Sequence, residues 1–188
     1  HMPAQWPANP GLEWCPPGHG DFYPSLFASG LIPKLLEQGF RYLFVANIDN
    51  LGAVPDPRLA GWFAASGAPY AAEVTERTDM DRKGGHLAHR IADGRLVLRD
   101  TAQVSPDEMD FFVDIHRHPW AHTNNIWMDL EQVLPVLEAN QGMLSLPLII
   151  NHKTVDPTDE TSPAAHRGEG RKSAAEGKSV ELGGRRVL

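Results

Sequence analysis

Several short stretches of this sequence hold residue types suited to phosphates, sugar hydroxyls or a hard metal ion. Asn47-Ile48-Asp49-Asn50 directly follows the apolar run Tyr42 to Ala46. In open α/β sheets, ligands gather beyond the carboxyl ends of strands. Asp49 has the right donor for Mg²⁺, which takes oxygen ligands and commonly uses one or two carboxylates together with substrate phosphates. The same residues also suit a plain strand-end turn. Pro16-Pro17-Gly18-His19-Gly20-Asp21 is a second candidate. Its prolines stiffen the approach, its glycines let backbone come close to a ligand, and His19 can donate to a phosphate or sugar oxygen. A proline-glycine turn with an exposed histidine is the simpler alternative. Lys83-Gly84-Gly85 can present charge and bare backbone N–H groups to an anion, or be a solvated loop. Asp100 closes one expected strand and Asn124-Asn125 precede another. Amides and a carboxylate fit sugar hydroxyls, and equally fit ordinary strand ends.

Two further groups carry weaker chemistry. His116, His118 and His122 invite a zinc site, because imidazole is a common Zn²⁺ ligand. Pro119 interrupts any helical pairing of His118 with His122, so solvated or helix-end histidines are the favoured reading. Cys15 is the single cysteine, which excludes an internal disulfide and a Cys-only zinc site. Only His19 stands near enough in sequence to lower its pKa, so no nucleophile is expected there.

The elements that would position these residues alternate between helix and strand. Pro24 opens a short helix ending near Gly30. Pro33 and Gly39 bracket another, with Ile32, Leu35 and Leu36 apolar. Tyr42 to Ala46 reads as a central strand covered on both faces of a parallel or mixed sheet. Asp56 as cap, Pro57 in the first turn and Gly67 beyond the end bracket a third helix, with Leu59, Trp62 and Phe63 as its buried stripe. Residues 69–75 form a strand. His86 to Ile91 and Arg95 to Asp100 form a hairpin around Ala92-Asp93-Gly94. Ser105 and Glu108 have capping-box spacing, predicting a helix to about Ile115. Asn125 to Met128 is a strand, Asp129 and Gln132 start a helix through Leu137 with Pro135 inside it, and Leu148 to Ile150 is a short buried strand.

At 188 residues the chain has room for one domain and a tail. Hydrophobic residues make up 41%, ordinary for a globular protein. With 24 acids against 17 bases the net charge is −7, which argues against a nucleic acid polymer as partner. No apolar run reaches membrane-spanning length, so no membrane partner is expected. No signal peptide is visible, and cytoplasm is the expected location. His1-Met2 reads as an expression remnant, and the proline-rich segment through residue 12 as an extended approach.

Taken together, Trp14-Cys15-Pro16-Pro17-Gly18-His19-Gly20-Asp21, Phe44 to Ala53, Glu73-Val74-Thr75, Lys83-Gly84-Gly85, Ala102-Gln103-Val104 and Thr123-Asn124-Asn125-Ile126-Trp127 occur in an order that resembles the UDP-glucose pyrophosphorylase family, the UTP–glucose-1-phosphate uridylyltransferases of the eukaryotic-like type. The similarity spans Glu13 to Pro157. It implies an α/β, Rossmann-like nucleotidyltransferase fold with a mixed sheet flanked by helices, present here in part. It implies UTP and glucose 1-phosphate as substrates, UDP-glucose and pyrophosphate as products, and Mg²⁺ as cofactor. The implied roles place Gly18 and His19 on nucleotide and sugar phosphate, and Asn47, Ile48 and Asp49 on substrate, with Asp49 as the metal ligand. Gly84, Gly85 and Asn124 would line the sugar side. Asp100 stands where relatives usually carry a sugar-binding Glu. His19 and Asp49 are the implied catalytic pair.

Two parts of the family pattern are not found. A Leu-x-Gly-Gly-x-Gly-Thr nucleotide loop and a later Glu-Thr-Ala-x-Gly-Ala stretch have no match in these residues. The expectation is a partial catalytic domain over 13–157 that is inactive alone, followed over 158–188 by a flexible tail unlike the family. A non-catalytic nucleotide-sugar binding module is the alternative.

Overall fold

The computed structural model describes residues 5–15, 19–82, 84–144, 154–156, 158–159, 161–163 and 166–167. The chain divides into two units, His1–Phe22 with Leu146–Ala175, and Tyr23–Ser145 with Glu176–Leu188. In the first unit, β1 (Trp14–Cys15) pairs in parallel with β7 (His166–Arg167), and a 3₁₀ turn covers His19–Asp21. Pro16, Pro17, Gly18 and the expected strand Leu148–Ile150 lie outside the described residues.

The second unit is built on one long strand. β6 (Trp120–Asp129) pairs with β3 (Tyr70–Glu76) along one edge, from Glu76↔Trp120 to Tyr70↔Met128. A strand has only two edges, so its remaining neighbours share the other. β2 (Tyr42–Val45) takes the stretch 126–129, and β4 (His86–His89) begins at Ala121. β5 (Leu96–Arg99) completes the hairpin with β4 around Gly94. Strands and helices alternate as an α/β chain should. All pairings of this five-stranded sheet are antiparallel.

β2 differs from its expected central place. Its residues are half-buried or exposed, and among the described residues only β6 pairs with it. Helix α3 (Pro57–Ser66) forms where capping residues dictate. The Asp56 carboxylate accepts from the Arg58 N–H at 2.8 Å, and Gly67 ends the helix at φ 65°, a left-handed conformation that a Cβ would strain. Phe63 is buried against Trp127 and Ala71, with Phe44 alongside. Leu59 and Trp62, expected in the same stripe, are exposed. Among the described residues the sheet beneath α3 ends at β2, so it receives only one side of the helix.

Successive residues of a strand face opposite ways. Met128 therefore turns from Trp127's face toward α1 (Phe22–Ala28) and α5 (Leu130–Ala139), lining a small apolar cavity with Tyr23, Tyr70, Val133 and Leu137. Ile32 of α2 (Leu31–Glu37), Leu130 and Leu137 are fully buried. The Asp129 carboxylate caps α5 and accepts from Arg41 Nη2 at 2.9 Å and Gln132 Nε2 at 2.7 Å. Burial pushes that carboxyl up, but the Arg41 and Gln132 contacts outweigh it and leave it below the usual range. Pro135 sits inside α5 without ending it.

The helix expected from Ser105 to Ile115 is much shorter. A 3₁₀ turn covers Pro106–Glu108 and α4 only Met109–Phe112. Ser105 makes no side-chain cap. The Asp114 carboxylate accepts from the N–H groups of His116 and Arg117, folding the chain into a turn instead.

Candidate functional site

The two occupants of the shared β6 edge do not meet. β2 follows β6 up to Val45↔Ile126, and β4 starts at His86↔Ala121. His122, Thr123, Asn124 and Asn125 lie between, and of these His122 is still held, by its N–H to the Gly85 carbonyl. On the opposite edge the β3 register slips there, from Ala72↔Ile126 to Val74↔His122. Three residues of β6 thus face the single residue Glu73, a bulge with two extra residues on one strand. Bulges re-aim side chains, and they recur beside active sites. Asn124 takes the strain, with φ 63°. Asparagine tolerates that conformation better than most side chains.

Several sequence-predicted residues converge on this interruption. Asn124 Nδ2 donates to Asn47 Oδ1 at 2.7 Å, and its backbone N–H to His122 Nδ1 at 3.0 Å. Asn47 heads the turn after β2, where its carbonyl accepts from the Asn50 N–H. Ile48 and Asp49 project from that turn, Ile48 fully exposed. Gly85 approaches from β4, its carbonyl accepting the His122 N–H at 3.1 Å. Gly84 precedes it, anchored by its N–H to the Asp81 carbonyl. Asp100 follows β5 one step past the Arg99↔His86 pair, beside Gly85, and its N–H donates to Gln103 Oε1 at 3.0 Å. Asn47 and Asn124 are thus brought into contact and Gly85 is tied to the adjoining His122, while Asp49, Gly84 and Asp100 stand on the loops that flank these residues. Asn124 and Asn125 lie within the strand they were expected to precede. His19 is exposed in the first unit, and Gly18 and Lys83 lie outside the described residues.

Beneath the interruption lies a polar network not legible in the sequence. Glu73 Oε2 accepts from Asn125 Nδ2 at 2.9 Å and Oε1 from Trp127 Nε1 at 2.8 Å. The Glu73 carbonyl accepts from Thr123 Oγ1 at 2.8 Å. Asn125 Oδ1 in turn accepts from Asn50 Nδ2 at 3.3 Å. The only sequence signal was position: Glu73 and Thr123-Asn124-Asn125-Ile126-Trp127 both belong to the motif series.

A second polar node was missed altogether. Arg77, buried at the end of β3, donates to the carbonyls of Phe112, His118, Asp81 and Arg82. It ties the loop leading to Gly84 and Gly85 to the 112–118 segment. His86 is fully buried beside it, with Nδ1 3.3 Å from Arg77 Nη1 and its ring stacked 4.2 Å from that of His118. Burial above all, then the charges of His118 and Arg77, push the His86 pKa down to about 3. Among the described residues no three His, Cys, Asp or Glu side chains gather as a metal-holding group. His118 is engaged in the stack, and His122 in accepting from Asn124.

The sequence model of the UTP–glucose-1-phosphate uridylyltransferase family matches residues 1–165. A probable UTP–glucose-1-phosphate uridylyltransferase of Schizosaccharomyces pombe is 43% identical over 143 residues, 76% of this chain and 28% of that protein. The Saccharomyces cerevisiae UTP–glucose-1-phosphate uridylyltransferase is 39% identical over 147 residues, 78% of this chain and 29% of that protein. This chain therefore spans under a third of those relatives' length. Among solved structures, a UDP-glucose phosphorylase from Trypanosoma brucei superimposes with a TM-score of 0.77 at 42% identity, covering 87% of this chain and 35% of that one. A mutant UDP-glucose pyrophosphorylase from Leishmania major in complex with UDP-glucose gives 0.72 at 42% identity, covering 86% of this chain and 36% of that one. Among the described residues no helix is long and apolar enough to cross a membrane.

Proposed function

The chain belongs to the UTP–glucose-1-phosphate uridylyltransferase family, and from that premise we propose that it is the sugar-side part of an enzyme that joins UTP and glucose 1-phosphate into UDP-glucose and pyrophosphate. The observation that carries this reading is the interruption of the β6 edge, where Asn124 meets Asn47 and Gly85 holds the His122 N–H, beside the turn bearing Asp49. A phosphate oxygen of the sugar attacks the α-phosphorus of UTP in line, a new P–O bond forms, and the bond to pyrophosphate breaks. Such transfers depend on positioning and charge neutralisation more than on a covalent nucleophile. Asn124, Asn47, Gly84, Gly85 and Asp100 would orient the sugar. His19 and Gly18 would donate to its phosphate and the nucleotide.

Asp49 is exposed and stands apart from any three-ligand cluster among the described residues. One carboxylate fits Mg²⁺, which keeps waters and completes its shell with substrate phosphates. When bound, the ion neutralises charge on those phosphates. By itself the chain is expected to bind and not turn over, because its sequence holds no Leu-x-Gly-Gly-x-Gly-Thr loop, and phosphate-directed donors supply much of the rate enhancement in such transfers. A cytoplasmic location belongs to the same proposal, on the family's chemistry of soluble substrates.

The test is calorimetric titration of UDP-glucose into the folded chain, with and without MgCl₂, for the native sequence and Asp49→Ala. Saturable binding that weakens without magnesium and in the variant is expected. No heat from a folded chain overturns the assignment of these residues. Joining the chain to the preceding segment of a relative should then release pyrophosphate from UTP and glucose 1-phosphate, whereas binding without turnover would favour a non-catalytic nucleotide-sugar module.

A further inference from the structure

We propose that Glu73 is the positioning residue of this site: through Asn125 it sets both the β6 bulge that presents Asn124 and the turn that presents Asp49. The inference rests on the functional reading above.

Among the described residues the Glu73 carboxylate is the side chain that reaches both Asn125 and Trp127. Glu73 alone faces Thr123, Asn124 and Asn125 across the slipped register. It binds the bulge on both sides, Thr123 through its carbonyl, and Asn125 with Trp127 through its two carboxylate oxygens. Asn125 and Trp127 are buried. Holding residues 123, 125 and 127 leaves Asn124 as the residue that must loop out, and there it meets Asn47 at 2.7 Å.

Polarity gives the network its direction. A carboxylate is acceptor-only, so both of its partners must present N–H groups. Asn125 is thereby held with its amide nitrogen toward Glu73 and its carbonyl oxygen toward Asn50. Asn50 answers with its own nitrogen and turns its oxygen to the Gly52 N–H at 3.2 Å. Flipping Asn125 would set oxygen against carboxylate and nitrogen against nitrogen. The chain Glu73–Asn125–Asn50–Gly52 therefore fixes the turn immediately after Asp49.

Glu73→Gln keeps the shape and breaks the polarity, because an amide can accept from Trp127 or from Asn125 but turns its own N–H₂ on the other. Adding Asn125→Asp repairs it. The new amide at 73 donates to the new carboxylate at 125 and accepts from Trp127, while the carboxylate still accepts from Asn50. Net charge is unchanged.

UDP-glucose affinity is expected to fall about tenfold in E73Q, equal to the loss of roughly one good hydrogen bond. It should return to within about threefold of native in E73Q/N125D. A second readout needs no ligand: hydrogen exchange of the Asn124 and Asn125 side-chain amides, slow in the native chain, fast in E73Q, and slow at position 124 in the double variant. Native affinity in E73Q, or no recovery in the double variant, overturns the proposal. If the native chain binds no UDP-glucose, the functional reading fails, and the amide exchange alone decides the role of Glu73: unchanged protection in E73Q refutes it. If E73Q does not fold, the double variant must fold with native protection at Asn124, or the proposal falls.

Discussion

Two polar nodes are centred four residues apart, on β3 and just past its end, and they are built in opposite ways. Past the end of β3, a buried cation gathers backbone carbonyls: Arg77 donates to Phe112, His118, Asp81 and Arg82. At the bulge, an anion gathers side-chain donors: Glu73 accepts from Asn125 and Trp127. The first node is sealed. Arg77 Nε and His86 Nε2 find no hydrogen-bond partner among the described residues. The second opens to solvent through Asn47 and Asp49. A cation on carbonyls locks main chain, whatever side chains the segments carry. An acceptor on amide side chains holds groups that can also reach a ligand. The Arg77 node is thus an anchor for the Gly84-Gly85 approach, and the Glu73 node is a platform.

The harshest test of that contrast is Arg77→Met. It keeps most of the volume and strips four carbonyls of their donor, so a loss of about 3 kcal/mol is expected in urea unfolding. A loss below about 1 kcal/mol would show that Arg77 is no anchor. Next comes pH. His86 is neutral in the folded protein down to about pH 3, while its unfolded form takes up a proton below its ordinary value of 6.5. The unfolded state binds more protons between those values, so stability falls as pH drops through that window and is level above it. The slope approaches about 1.4 kcal/mol per unit well inside the window, and about 2 kcal/mol should be lost between pH 7 and pH 5. His118, lowered in the same direction, adds to the effect. Thermal unfolding across pH, repeated with His86→Leu, checks it: the variant should flatten the curve.

Asn124→Gly separates platform from anchor. Glycine accepts φ 63° freely, so stability should hold or rise by a few tenths of a kcal/mol. Losing the amide should weaken UDP-glucose binding about tenfold. Equal losses of stability and affinity would mean that the bulge is structural only. The smallest effect lies outside both nodes. Asp56→Ala removes the α3 cap and should cost about 1 kcal/mol in denaturant unfolding, with ligand binding unchanged.

How much of this was legible follows the range of each interaction. Helix α3 reads directly, because Asp56, Pro57 and Gly67 act on their own backbone. The hairpin around Gly94 does too. The end of α4 does not: Arg77 takes the Phe112 carbonyl from across the fold, and Asp114 redirects the chain. Asn47, Asp49 and Asn124 were visible as polar residues at element ends, and Gly85 as a glycine with bare backbone beside Lys83. Glu73 and Arg77 were not, since a charged residue in a half-buried strand looks like any solvent-facing one until its distant partners, 52 and 54 residues away for Glu73 and 35 for Arg77, are in place.

The sequence by itself determined the local elements, the alternation of helix and strand, and the candidate ligand groups, because capping, turn chemistry and apolar periodicity act within a few residues. Only the tertiary structure decided that β2 and β4 share one edge of β6, that the edge breaks at Thr123–Asn125, and that Glu73 and Arg77 hold its two sides. Strand pairing and the burial of charge depend on which distant donors and acceptors arrive together, and no local pattern encodes that meeting.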